Sequence, residues 1–165
     1  MSKLIVNTIE AQTFNYDSDT TGFSLNSAGA ITGRNPYHWQ VRRHAGTVSA
    51  TSDIVFDQVD ADDNSIYNSS TGILTIPVTG VYQMNLFAIS STGDINGAIG
   101  VYNQSNVLYN NMMVYFDATN YYTNVSFSFA KKFTAGNQVK LRITAGSIYA
   151  SNGSGNPVWS GYLVG

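Results

Sequence analysis

Asp60, Asp62, Asp63 and Asn64 crowd one short stretch, and closely spaced oxygens of this kind are what a hard cation such as Ca²⁺ requires. The EF-hand loop pattern nevertheless fails at its last position, where Thr71 stands in place of the bidentate Glu. The stretch therefore reads as a solvated loop between strands, and no metal ligands are expected. His38 and His44, with Arg42 and Arg43, are the second cluster with acid-base or anion potential. The two histidines share strand parity, but spacing ties no nucleophile, paired carboxylate or orienting group to them. A strand face at a subunit contact is the expected role. Gly153-Ser154-Gly155 is followed by neither a Lys-Ser/Thr pair nor a helix, so it reads as a flexible loop and not a phosphate cradle. With no cysteine in the chain, disulfides, thiolate metal sites and thiol nucleophiles are excluded. Asn-x-Ser/Thr triplets begin at Asn68, Asn103, Asn124 and Asn152, and without a secretory route they carry no modification. No enzyme activity and no cofactor are expected.

The elements that would position such residues follow from composition. The charged fraction is 11%, against about 25% in an ordinary soluble domain. Disordered chains combine high net charge with few aromatics, whereas this one has formal charge -2, 13% aromatic and 43% hydrophobic residues. It is a folded chain with an uncharged polar skin. Eight Lys and Arg, with doublets at Arg42-Arg43 and Lys131-Lys132, do not make the basic stripe that a nucleic-acid partner requires. No apolar run approaches a membrane helix, and the three apolar residues Leu4, Ile5 and Val6 are too few for a signal segment. Neither nucleic-acid binding nor membrane insertion is expected.

Eleven Tyr with abundant Thr and Val favour pleated surfaces. Val139, Leu141, Ile143 and Ala145 alternate with Gln138, Lys140, Arg142 and Thr144, the period-2 pattern of a strand with one wet face. Val125, Phe127 and Phe129 alternate with Asn124, Ser126 and Ser128, and a turn around Ala135-Gly136-Asn137 is expected to join the two strands as a hairpin. Val81 to Ile89 carries large side chains at both parities, so something must cover each of its faces. Further strands are expected at His38 to His44, Asp53 to Val59, Ile66-Tyr67, Ile73 to Val78, Gly97 to Asn103, Val107 to Phe116 and Val158 to Val164. With no convincing amphipathic helix, the class is all-β, a sandwich or jelly roll. The first 36 residues differ: short apolar clusters containing Leu4, Ile5, Val6, Ile9, Phe14, Tyr16, Phe23 and Leu25 are separated by polar turns. They read as an extended attachment arm that orders on a partner, and Arg34-Asn35-Pro36 marks the boundary with a head at 37–165.

The run from Thr71-Gly72-Ile73 through Pro77-Val78-Thr79-Gly80-Val81-Tyr82-Gln83-Met84 resembles the hallmark strand pair of the complement C1q-type head, within the tumour-necrosis-factor-like superfamily. Ile54 to Val59, Tyr67-Asn68, Phe133 to Leu141 and Trp159-Ser160-Gly161-Tyr162-Leu163 fall in the family's order. Leu74 and Met84 stand where an aromatic is usual, and Asn137 replaces the usual Asp. The resemblance implies a non-catalytic, ten-stranded jelly-roll β-sandwich assembling as a homotrimer about a threefold axis. Tyr82, Met84, Phe127, Phe129, Trp159 and Tyr162 are expected to pack in the core or at the trimer axis, a ligand pocket being the alternative for most of this set. The segments Met1 to Ala11 and Thr20 to Leu25 look like N-termini of virion structural proteins of tailed bacteriophages, particularly cyanophages. Animal members of the head family usually follow a signal peptide and a collagen stalk, and residues 1–36 read as neither. The resulting expectation is a virion structural protein on the particle exterior: a trimeric capsid decoration whose arm binds other capsid or tail proteins. The alternative is a tail-fibre or head-fibre tip that recognises host-surface glycans or receptors.

Overall fold

The computed structural model describes residues 13–15, 21–25, 31–32, 37–62, 64–91, 94–118, 122–150 and 156–164, the first three stretches through the backbone alone. The chain divides into two compact units, Met1–Pro36 and Tyr37–Gly165. In the first, β1 (Thr13–Asn15), β2 (Thr21–Leu25) and β3 (Ile31–Thr32) form an antiparallel sheet in that order, with Phe14 opposite Phe23 and Leu25 opposite Ile31.

Among the described residues of the second unit, the regular elements are all strands. One sheet has the order β5 (Gly46–Ser49), β15 (Ser147–Ala150), β10 (Gly80–Ser90), β16 (Val158–Leu163), β4 (His38–Arg42), β7 (Gln58–Asp62), with β13 (Asn124–Phe133) also pairing β10. The other has the order β12 (Leu108–Ala118), β11 (Asp94–Asn103), β14 (Gln138–Ala145), β9 (Ile73–Thr75), β8 (Tyr67–Asn68), with β6 (Ser52–Asp53) on β14. Every pairing is antiparallel.

The period-2 patterns decide what lies between the sheets. Val139, Leu141 and Ile143 of β14 are fully buried, opposite Tyr82, Met84 and Leu86 of β10, Trp39 and Val41 of β4 and Trp159 of β16. Each fully buried aliphatic or aromatic side chain contributes about 1.5–3 kcal/mol of transfer free energy. Trp39 and Trp159 meet edge to face with centroids 5.6 Å apart. That contact depends on Gly161: a Cβ there would lie 2.4 Å from both the Gln83 carbonyl oxygen and the Trp39 ring, so the glycine in the closing motif is a steric necessity.

Two expectations are corrected. Val125–Phe129 and Val139–Ala145 do not form a hairpin, because β13 pairs with β10 in one sheet and β14 with β11 and β9 in the other. Thr134 to Asn137 is instead a crossover, anchored by Gly136 N–H to the Ile76 carbonyl at 2.8 Å, Ile76 N–H to the Asn137 carbonyl at 2.9 Å and Ala135 N–H to Thr79 Oγ1 at 3.0 Å. The reason lies in the pairing available elsewhere: β13 runs antiparallel along β10 from Gly80 to Ile89, and β14 is held on both edges by β11 and β9. The expected run from Asp53 to Val59 is broken as well: Ile54 and Phe56 drop into the core as a connection between β6 and β7. Strands β5 and β15 were not among those expected.

A candidate interaction face

Strand β10 states the problem that the face must solve. Its even positions Tyr82, Met84, Leu86, Ala88 and Ser90 are buried, while Val81, Gln83, Asn85, Phe87 and Ile89 look outward and are only partly covered by the chain itself. Register builds three outward rows across the sheet: His38, Tyr162, Gln83 and Ala130; Gln40, Ser160, Asn85 and Ser128; Arg42, Val158, Phe87 and Ser126. Charge stands at the margins: Arg42, paired with Asp60 at 3.0 Å, and the exposed Lys132 opposite Val81. The middle row has no charge. Bridging it to the first row, Gln83 Nε2 donates to Ser128 Oγ at 2.7 Å, and Ser128 Oγ donates to Asn85 Oδ1 at 2.7 Å. Around this amide-hydroxyl cluster Phe87 is 40%, Tyr162 45% and Val164 60% exposed. With charge confined to the margins, the centre of the face presents satisfied neutral polar groups and large apolar side chains, the composition of an interface core.

The sequence-selected residues divide between the two sides of the sheet. Tyr82, Met84 and Trp159 are wholly buried inside the protomer. Phe127 and Phe129 stack at 5.4 Å with a 17° interplanar angle, half-buried on β13, and pack against the core. Tyr162 alone of the six points outward. Leu4, Ile5, Val6, Ile9 and Tyr16 lie outside the described residues; Phe14, Phe23 and Leu25 lie on β1 and β2, described through the backbone. Gly153 to Gly155 also lie outside the described residues. Sequence reasoning missed Phe87, Gln83 and Asn85, although the double-parity pattern of Val81 to Ile89 was their signal.

The other clusters have structural employment. The acidic run is not wholly a loop, because Asp60 and Asp62 lie on β7; Asp62 accepts from Ile66 N–H and Tyr67 N–H, both at 2.9 Å, bracing the turn that follows the strand, and Asp63 lies outside the described residues. Strand β4 ends at Arg42, so His44 is off the strand; its N–H donates to Asp57 Oδ1 at 2.7 Å. Among the described residues no group of three His, Cys, Asp or Glu side chains could hold a metal. No described helix is long and apolar enough to cross a membrane.

Comparison with curated proteins returns no match. Solved structures with the same fold include the globular domain of zebrafish complement 1qA protein, with 17% identity, TM-score 0.61, and coverage of 78% of this chain and 98% of that one. They also include Eiger TNF from S. frugiperda, with 11% identity, TM-score 0.53, and coverage of 78% and 94%, and murine APRIL, with 12% identity, TM-score 0.54, and coverage of 76% and 99%. None of these matches indicates a catalytic family. The C1q domain model matches residues 39–164, which takes in both sheets, the Trp39–Trp159 core and the neutral outward face, and the chain belongs to the C1q domain family.

Proposed function

We propose that this protein is a non-enzymatic homotrimeric head that serves as a structural protein of a tailed-bacteriophage particle, a capsid decoration held by its 1–36 segment. The observation that carries the trimer is the outward face of β10, β16, β4 and β13, whose centre is uncharged, with Phe87 and Tyr162 half exposed. The half-buried Phe127–Phe129 stack on β13 supplies a second, different apolar surface. Two non-identical surfaces that fit each other make a head-to-tail contact, which closes into a ring when the rotation is a third of a turn.

Full-length protein should then scatter light as a trimer at micromolar concentration. Phe87→Glu with Tyr162→Glu should give a protomer with an unchanged β-sheet circular dichroism spectrum. A wild-type protomer under those conditions would sink the trimer. The virion reading is supported by the likeness of residues 1–25 to phage structural proteins, and three arms on one trimer turn weak contacts into stable attachment. Removing residues 1–36 should leave a soluble trimer that no longer joins particles.

The second reading, a fibre tip that recognises host glycans or receptors, is favoured by the low-charge skin rich in Asn, Ser, Thr and Tyr. The two separate by assay: purified trimer labels cells and blocks infection in the second case, and raises the particle's resistance to heat in the first.

A further inference from the structure

Two turns enclose an open cleft of about 240 Å³. Asn103, Gln104 and Ser105 of the β11–β12 turn, with Tyr109, form one wall, and Gly136, Asn137 and Gln138 of the β13–β14 crossover form the other. Pairing of Asn103 with Val139 brings the turns together.

Both walls are rigid. Asn103 Oδ1 accepts Val107 N–H at 2.9 Å, and Asn103 N–H donates to the Val107 carbonyl at 2.9 Å. Asn137 Oδ1 accepts Thr134 N–H at 3.0 Å, and Asn137 N–H donates to the Thr134 carbonyl at 3.0 Å. With each Oδ1 committed to its own turn, the two Nδ2 groups keep their donors for a ligand. The side-chain amides of Gln104 and Gln138 and the Tyr109 hydroxyl have no hydrogen-bond partner among the described residues. Tyr109 is itself fixed, edge-on to Phe133 with centroids 5.2 Å apart and with Lys131 Nζ 5.6 Å from its ring centroid. Burial raises its pKa, so its hydroxyl stays neutral. Gly136, at φ +83°, leaves open space where a side chain would project.

The chemistry selects the ligand class. None of the six lining side chains is charged, Lys131 sitting over the Tyr109 ring and not in the lining, which disfavours phosphate, carboxylate and metal ions alike. The lining is amide and hydroxyl and not apolar, which disfavours a hydrophobic side chain or lipid. Two amide donors beside groups that both donate and accept, the Gln104 and Gln138 amides and the Tyr109 hydroxyl, match a partner whose hydroxyls do both. The volume lies below the roughly 300–1,000 Å³ of drug-sized pockets, so the cleft suits one ring and not a chain. We propose that this cleft is a subsite for a single neutral sugar ring of a glycan, held by the Asn103, Asn137 and Gln138 amides and the Tyr109 hydroxyl. Pre-ordered walls spare the ordering cost of binding, and three copies on a trimer would multiply weak single contacts. All of the cleft comes from one chain, so the site survives even if the protein is a protomer.

The test uses full-length protein with the methyl glycosides of glucose, mannose, galactose and N-acetylglucosamine as probes, followed by saturation-transfer and amide-shift NMR. At least one should bind with a Kd on the order of 1–10 mM, moving the amides of residues 103–105 and 136–138. Asn137→Asp keeps the acceptor for Thr134 N–H but removes the Nδ2 donors, and Gln138→Ala removes an amide with no internal partner. Each should weaken binding about fivefold or more with the unfolding midpoint unchanged. Absence of binding by all four glycosides, binding indifferent to both substitutions, or equal shifts with N-methylacetamide would each overturn the proposal.

Discussion

At the residue scale, Tyr67 shows how one side chain of the family pattern serves the fold twice. Its ring meets Trp159 edge to face at 5.9 Å, and its hydroxyl oxygen accepts the buried Phe56 N–H at 2.8 Å. Burial, opposed only in part by that bond, pushes its pKa up, so the phenol is neutral at pH 7. Tyr67→Phe keeps the packing but orphans a buried backbone donor, whose desolvation costs about 1–3 kcal/mol. Urea unfolding should show a lower midpoint by that amount with an unchanged slope; an unaltered midpoint would mean that Phe56 N–H finds another acceptor. The Asn in place of the family's usual Asp at 137 is explained at the same scale, since the amide oxygen caps Thr134 N–H as a carboxylate would.

At the scale of elements, β6 is two residues long and cannot hold its place by backbone pairing alone. Asp53 fastens it to β14, accepting from Lys140 Nζ at 2.6 Å and Arg142 Nη1 at 2.7 Å, while Arg142 Nη2 donates to the Thr51 carbonyl at 2.9 Å. Partial burial raises the Asp53 pKa, but the hydrogen bonds and charges of Lys140 and Arg142 outweigh it and hold the carboxyl below the usual range. A folded-state pKa below the unfolded one stabilises the protein at pH above the unfolded value, near 4, and that contribution fades as pH falls through the folded value. Asp53→Asn should therefore destabilise at pH 7, by roughly 2–3 kcal/mol because buried Lys140 loses its counter-charge. The difference from wild type should shrink in acid. Parallel stability-pH curves for the two proteins would remove Asp53 from this role.

At the scale of the whole molecule, the proposed trimer would be held by a face with an uncharged centre and would obey mass action, so the thermal midpoint of the full-length chain should rise with protein concentration and respond little to salt. A concentration-independent midpoint would speak for a self-sufficient protomer. Alternation in Val139 to Ala145, the lack of charge and the ordered motifs from Thr71 to Leu163 were enough to determine strands, an all-β class and the family, because side-chain parity and glycine placement are local constraints written residue by residue. The sequence also set the double-sided character of Val81 to Ile89. It could not say that β13 and β14 part into different sheets, or that Tyr82 and Trp159 turn inward while Phe87 and Tyr162 turn outward. Nor could it bring Asn103 beside Asn137. Those choices depend on which strands compete best for a shared apolar face across long sequence separations, and only the assembled sandwich decides that competition.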